Sequence, residues 1–132
     1  MAVIEHVPDD SAALAEAARV LRPGGRAWVT VPHALRNISP VFRPANVLHD
    51  RRLGHLRRYD AKGLADAAAK AGLSTLEVQF TGHPVKVAQL VGQRLPGRMG
   101  NRFWWWCEER DQRRRAHEAG SMQLSMLFER AR

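Results

Sequence analysis

The sequence predicts an α/β fold in which a small sheet is flanked by helices, and three patterns support this prediction. Residues 3–32 follow the pattern strand, loop, helix, tight turn, strand, which is one βαβ unit with parallel strands. Apolar and polar residues alternate along Leu73–Phe80 and again along Ser121–Glu129, as in strands with one buried face. Apolar residues recur at helical spacing between these strands. With 132 residues, the chain is predicted to form a single domain, 1–132.

The βαβ unit begins with a short apolar run, residues 2–4, followed by the charged pair Glu5 and His6. Residues 8–11 predict a helix start, because Asp and Ser oxygens accept hydrogen bonds from the first free N–H groups of a helix. The Pro-Gly-Gly run that begins at residue 23 ends this helix, since proline cannot continue it and glycine accepts a left-handed turn. A buried strand, Ala27–Val31, is predicted next from its β-branched residues.

The segment 33–59 has little periodicity and is interrupted by Pro40 and Pro44. Connections in α/β units are usually about 2–6 residues long, so a segment of this length is interpreted as a lid or substrate-binding insertion. It leaves the carboxyl end of a predicted parallel strand, where ligands bind in open sheets. A long, solvated basic loop is the alternative interpretation.

Asp60 is a good N-cap for the helix predicted over Ala61–Ala71. The strand that follows, Leu73–Phe80, is expected to place Leu76, Val78 and Phe80 on its buried face. Its other face is polar and therefore wet, which predicts a position at or near the edge of the sheet.

Residues 84–118 predict a helical cap made of two helices, the first beginning at Pro84 and running to about Leu95 and the second capped by Asn101. The run Trp104–Trp106 cannot lie on one helix face, because neighbouring residues are about 100° apart. At least one indole is expected to meet solvent or another surface. Acidic residues interrupt the surrounding arginines, so packing over the sheet or a dimer contact is favoured over binding to nucleic acid or to a membrane surface.

The net charge is +8, from 21 Lys and Arg against 13 Asp and Glu. This balance can favour an anionic partner, and the alternative is an arginine-rich solvated surface. Cys107 is the only cysteine, so no disulfide can form within the chain, and a cytoplasmic location is predicted. No apolar stretch approaches the roughly 18 residues needed to cross a bilayer.

Several of these motifs occur together: VIEHVPDD, a helix ending in RVLRPGG, a strand ending in VTVP, and later GHLRRYDAKGLADAAAKAGL. In this combination they resemble the second half of a class I S-adenosylmethionine (SAM)-dependent methyltransferase. The resemblance implies a partial Rossmann-like sheet, the family's fourth to seventh strands, with an antiparallel last strand over Ser121–Glu129. The family's glycine-rich SAM-binding loop lies upstream of the acid–His pair, and this chain has few residues there. The chain alone is therefore expected not to bind SAM measurably.

The resemblance also implies a site. Glu5 and His6 would lie at the methyl-transfer end of SAM as cofactor-binding residues, and His6 would be the catalytic general base. The residues implied around a small-molecule acceptor are His33, His55, Arg58 and Tyr59. No metal is predicted, since a metal would need further ligands and Ala2 stands where a second acid would lie.

Structural alternatives remain open for these residues: His6 can cap the strand end, and Tyr59 can pack beneath the following helix. For the whole chain, the predicted function is SAM-dependent methyl transfer to a small-molecule acceptor by a truncated enzyme. The alternative is a non-catalytic remnant or interaction protein that needs a partner for its missing strands. That partner would be a complementing N-terminal half or a second copy of the chain.

Overall fold

The computed structural model describes residues 4–92 and 97–131. The fold is mixed α/β, as the sequence predicts, with one small sheet and five α-helices in the described part of the chain. In chain order the elements are α1 Asp10–Val20, β1 Arg26–Pro32, α2 Arg43–Leu53, α3 Ala61–Lys70, β2 Leu73–Thr81, α4 Pro84–Gly92, α5 Gly97–Gln112 and β3 Gln123–Arg130. Two short 3₁₀ turns, Leu35–Asn37 and Pro40–Phe42, connect β1 to α2.

The sheet has the strand order β1-β3-β2, and β3 runs antiparallel to both neighbours. Met126 of β3 lies opposite Val29 of β1 on one side and Val78 of β2 on the other. The antiparallel last strand and the edge position of β2 are thus confirmed. β1 and β2 point the same way, as expected for the strands that precede the last one, but β3 lies between them, so neither pair of neighbouring strands in the described sheet is parallel. The predicted first strand, residues 2–4, lies outside the described residues except for Ile4, which is in a turn.

The hydrophobic core lies between one face of this sheet and the helices α1 and α3. The central strand contributes Leu124, Met126 and Phe128, each no more than 1% exposed. Leu14 of α1 and Leu64 of α3 are completely buried against them. A strand with neighbours on both sides is the natural place for such residues, since it has no edge in contact with water.

The predicted helix starts are confirmed at α1 and α3. Asp9 caps α1 by accepting a hydrogen bond from the Ala12 N–H at 2.9 Å, and Asp60 caps α3 by accepting from the Gly63 N–H at 2.6 Å. Each carboxylate satisfies a backbone donor that has no acceptor within its helix.

The prediction that Leu76 is buried is wrong. The pairing of β2 with β3 shifts register between Thr75 and Glu77, so Leu76 forms a β-bulge and is 47% exposed. A bulge inserts one extra residue in a strand and changes which face the neighbouring side chains occupy. Strict alternation in the sequence could not show this.

The helix α2 is an element that the sequence pattern does not predict. Pro44 lies in its first turn, where proline is tolerated because the first N–H groups have no acceptor within the helix. No residue of α2 is fully buried, so it has no apolar stripe of the usual width. It ends at Gly54, whose φ of +71° favours glycine. The segment 33–59 is therefore largely helical.

A buried hydrogen-bond network holds α5 against the turn that follows β2. Asp111 accepts hydrogen bonds from the backbone N–H groups of Gly82 and His83, at 3.0 and 2.8 Å. The His83 ring lies between the Asp111 carboxylate, 2.9 Å from Nδ1, and the His117 carbonyl, 2.8 Å from Nε2. Both side chains of this pair are buried, so the network fixes the position of α5.

The tryptophan run lies on α5, where Trp105 and Trp106 are 66% and 49% exposed, as the helix geometry predicts. The helix begins at Gly97, so Asn101 lies inside it and does not cap it. The predicted end of the preceding helix, near Leu95, lies outside the described residues. Among the described helices, none is long and apolar enough to cross a membrane.

Candidate functional site

A cleft of about 660 Å³ lies at the carboxyl end of β1, between that strand, α2 and the start of α4. Apolar side chains, among them Phe42, Leu53 and Met122, form much of its wall. The polar residues along it include Glu5, Asn46, His49, His55, Arg58, Lys86, Gln89 and Gln123. Apolar walls with a few polar groups are typical of small-molecule sites.

Glu5 and His6 follow Ile4 in a tight turn, in which Glu5 lines the cleft and His6 lies beside it without lining it. The Leu56 N–H donates to the Glu5 carbonyl oxygen at 2.8 Å, which fixes this turn against the segment after α2. Glu5 is only 4% exposed, and its Oε2 atom has no hydrogen-bond partner among the described residues. A buried carboxylate oxygen without a donor is costly, so this atom has the properties of a ligand-binding group.

His6 is more accessible than its neighbour. Its side chain is 39% exposed, and its Nε2 lies 3.9 Å from the Glu5 Oε1. The His6 ring contacts the edge of the His55 ring with 4.8 Å between centroids. The two imidazoles and the carboxylate therefore lie together, although His55 is almost fifty residues away in the chain.

Asp50, in the last turns of α2, orients His55 and Arg58. Its Oδ1 lies 2.8 Å from His55 Nδ1, and its two oxygens accept hydrogen bonds from Arg58 Nε and Nη2 at 2.6 and 2.9 Å. Burial alone would raise the pKa of Asp50, but the hydrogen bonds from Arg58 and His55 outweigh it and the pKa is lowered. Asp50 is therefore an anion that holds both side chains in place.

Arg58 connects three parts of the cleft wall. Besides its bonds to Asp50, it donates from Nη1 to the His33 carbonyl oxygen at 2.8 Å, at the end of β1. Its Nη2 also lies 3.2 Å from Asn46 Oδ1 on α2. The guanidinium thus lines the cleft while most of its donors bind protein groups, which makes it a rigid part of the wall.

His33 is completely buried and does not line the cleft. Its Nδ1 lies 2.7 Å from Ser121 Oγ, and its Nε2 lies 2.9 Å from Asn37 Nδ2. Because the Ser121 hydroxyl donates to the Glu118 carbonyl, Nδ1 must donate to Ser121 and Nε2 must accept from Asn37. Burial lowers the pKa of His33 despite the nearby Glu118 carboxylate, which fits this neutral ring.

Tyr59 also lies away from the cleft wall. Its ring belongs to the hydrophobic core, and its hydroxyl donates to Asp10 Oδ2 at 2.8 Å. Burial, reinforced by the Asp10 carboxylate, raises the pKa of Tyr59. The sequence left open that Tyr59 packs against the protein interior and does not contact the acceptor, and the structure has it packed in this way.

The structure thus brings together four of the six predicted site residues: Glu5, His6, His55 and Arg58. The catalytic and binding roles assigned to all six remain predictions. The cleft also contains polar groups that the sequence did not single out, among them Asn46 and Lys86. Asp50, which the sequence did not single out either, fixes the His55 and Arg58 side chains in the cleft wall through its hydrogen bonds. The only sequence signal for Asp50 was its position in a run of charged residues.

A family model described as a methyltransferase domain matches residues 1–78, which include the acid–His turn and the α2 segment of the cleft. The chain belongs to the methyltransferase domain family. No curated protein matches the chain significantly.

Solved structures with the same fold are methyltransferases too. One is a Galdieria sulphuraria protein assigned as a sarcosine dimethylglycine methyltransferase, 21% identical, with a TM-score of 0.55 over 97% of this chain and 50% of that one. Another is phosphoethanolamine N-methyltransferase 2 of Haemonchus contortus, solved with phosphomonomethylethanolamine and S-adenosylhomocysteine; it is 11% identical, with a TM-score of 0.55 over 98% of this chain and 32% of that one. A third, assigned as a methyltransferase of Bacillus halodurans, is 14% identical, with a TM-score of 0.55 over 98% of this chain and 67% of that one.

These similarities show the fold of this methyltransferase domain. The chain spans half of the Galdieria protein and about a third of the Haemonchus enzyme. The resemblance seen in the sequence is therefore confirmed at the level of the family.

Proposed function

We propose that this methyltransferase domain takes part in SAM-dependent methylation of a small molecule and that its cleft receives the methyl acceptor. The observation that carries the proposal is the position of the cleft, directly beside the Glu5–His6 turn in a chain of this family. Its volume of about 660 Å³ suits a small molecule, and its apolar walls would exclude water from the acceptor.

The bound SAM would supply an electrophilic methyl group for in-line displacement. The chain's own residues would position the acceptor and manage its proton. The His6 side chain is accessible, so its imidazole would be the group that accepts a proton from an acceptor hydroxyl or ammonium group and passes it to water. Arg58, held rigid by Asp50, would fix an anionic or polar end of the acceptor.

The described residues fit one end of SAM only. Glu5 Oε2 is a buried acceptor at the proposed methyl end, and it would bind a donor group of SAM. No glycine-rich loop follows β1 or β2 in the described part of the chain, so no comparable cradle is present for the rest of the cofactor. We therefore propose that this chain is an incomplete methyltransferase, which needs a complementing half to hold SAM.

Calorimetric titration of SAM into the purified chain tests whether this chain alone can bind the cofactor, and we expect no measurable heat.

Ligand-observed NMR with a panel of small amines, phenols and phosphorylated amines tests whether the cleft binds the methyl acceptor. We expect binding by the wild type and its loss in Ala45→Trp, which fills the cleft from α2. The matched control is Ala15→Trp on the exposed face of α1. Tight SAM binding would contradict the incompleteness, and acceptor binding that survives Ala45→Trp would contradict the assignment of the cleft.

A non-catalytic interaction protein is the second candidate. It is favoured by the outer edge of β1, which pairs with no strand among the described residues, and by the exposed indoles of Trp105 and Trp106. Under this alternative, His6→Ala would leave partner binding intact. Under the enzyme proposal, the same substitution would reduce methyl transfer by the complemented protein.

A further inference from the structure

We propose that Glu5, His6 and His55 form a binding site for a divalent transition-metal ion at the end of the cleft. Each of the three side chains offers one ligand atom, and these atoms lie within 4.8 Å of one another. The sequence argument against a metal was a lack of further ligands, and the fold supplies one by bringing His55 beside the acid–His pair. The proposal concerns the binding of the metal alone and does not depend on methyl transfer.

The unpartnered oxygen of Glu5 is the independent observation that points to a ligand. Glu5 Oε2 is buried and receives no hydrogen bond from any described residue. When no SAM donor occupies this atom, a cation would satisfy it and offset the desolvation of the carboxylate. The other Glu5 oxygen lies 3.9 Å from His6 Nε2.

The spacing requires only small adjustments. Ligands about 2.1 Å from a tetrahedral zinc ion lie about 3.4 Å from one another. The longest present separation, up to 4.8 Å, would have to contract by about 1.4 Å. The His6 side chain is 39% exposed, so it is the ligand least confined by neighbouring groups, and the Leu56 N–H bond to the Glu5 carbonyl joins the backbone segments that carry the other two.

The surroundings of His55 match those of a metal-binding histidine. Its Nδ1 is bonded to the Asp50 carboxylate at 2.8 Å, which leaves Nε2 as the nitrogen that can ligate. A carboxylate in this position fixes the tautomer and the ring orientation and makes the ligating nitrogen more basic. Arg58 holds that carboxylate in turn, at 2.6 Å, so the support extends to the end of α2.

The donor set indicates the kind of ion. Two imidazoles and one carboxylate suit Zn²⁺ and related transition metals, whereas Mg²⁺ and Ca²⁺ prefer sites made of oxygen alone. Three protein ligands would leave at least one coordination position for water or another small ligand. Glu5 and His55 both line the cleft, so this position would be accessible from it.

The test is a calorimetric titration of ZnCl₂ into the chain after treatment with a chelator and desalting. We expect one Zn²⁺ per chain and a rise in Tm with zinc, because an ion that binds only the folded state stabilises it. Glu5→Gln and His55→Ala should each weaken binding at least about tenfold, and Asp50→Asn should weaken it about 10- to 100-fold by releasing the His55 ring. MgCl₂ should give no comparable heat.

His117→Ala is the control, because it removes an exposed imidazole that is not part of the cluster, and it should bind zinc as the wild type does. Glu5→Gln keeps the shape of the side chain and removes a buried charge, so it should fold without metal. If His55→Ala does not fold, the accessible His6→Ala gives the same test. The proposal would be overturned if the wild type showed neither heat nor a Tm shift, or if the ligand variants bound zinc as tightly as the wild type.

Discussion

The Asp60 carboxylate stabilises this chain through two different contacts. It caps α3 through the Gly63 N–H and also pairs with the Arg36 guanidinium. The backbone hydrogen bond is the larger cause and the Arg36 bond the next, and together they lower the pKa of Asp60. A carboxyl group with a lowered pKa in the folded state stabilises the fold while it is ionised.

We predict that Asp60→Ala lowers the free energy of unfolding at pH 7 by about 1 kcal/mol, as expected for a lost N-cap. Asp60→Asn should be milder, because an amide oxygen also caps. The ionic contribution of Asp60 is present above its unfolded pKa, near pH 4, and is lost as the pH falls through the lower folded value. Urea unfolding of the three proteins between about pH 3 and 7 measures this. If the free energies of unfolding of the wild type and Asp60→Asn differed by the same amount over that pH range, the ionic contribution of Asp60 would be refuted.

At the scale of elements, the molecule depends on contacts that join one end of a helix to a loop. The Asp111 carboxylate of α5 is an example, since it accepts three hydrogen bonds from Gly82 and His83 without access to water. Removing one member of such a network leaves buried donors without acceptors, which costs more than the bonds themselves contribute.

We predict that Asp111→Ala lowers the free energy of unfolding by about 3 kcal/mol, which corresponds to a fall in Tm of about 10 °C for a chain of this size. Glu109→Ala is the matched control on the same helix. Among the described residues its carboxylate pairs with Arg113 alone, in an exposed ion pair, so its removal should change stability by less than about 0.5 kcal/mol. Thermal unfolding followed by circular dichroism measures both, and equal losses would refute the role of burial.

The elements that could be predicted from sequence are those whose signals are local. The caps at Asp9 and Asp60 depend on a few neighbouring residues, and β3 alternates regularly because one face packs on the core. The helix α2 could not be predicted, since it has no buried stripe and begins with a proline. The bulge at Leu76 depends on pairing with a strand more than fifty residues later along the chain, which no local pattern records.

The candidate site was predictable to a similar extent. The resemblance to methyltransferases supplied Glu5, His6, His55 and Arg58, because these residues lie in recognisable motifs. It did not show that His33 points into the protein, nor that Asp50 joins His55 to Arg58. His33 is held inside by Asn37 and Ser121, and Asp50 lies on α2, a helix within the segment that the sequence suggested was a lid, a substrate-binding insertion or a loop.

At the scale of the whole molecule, stability is unevenly distributed. The strand β3 is hydrogen-bonded on both sides and contains Leu124, Met126 and Phe128 in the core. The helix α2, which forms a wall of the cleft, has no fully buried residue. Local opening is easiest where few apolar groups are buried.

We predict that the amide hydrogens of β3 exchange most slowly in the described part of the chain, and that those of α2 exchange much faster than those of α3. The comparison of α2 with α3 is matched, because the helices have 11 and 10 residues but only α3 has buried side chains, Leu64 and Ala68. Hydrogen–deuterium exchange followed by NMR measures the rates. Protection of α2 equal to that of β3 would show that the wall of the cleft is rigid.

The central position of β3 in the sheet has a consequence for folding during synthesis on the ribosome. The strand that joins β1 to β2 is the last of the described elements to be translated, and it pairs with residues about a hundred positions earlier. Until residues 123–130 leave the exit tunnel, β1 and β2 have no common neighbour, and their apolar faces stay uncovered. The sheet of the nascent chain therefore stays unassembled until β3 has been released, and this is the stage at which a holdase chaperone would protect it most.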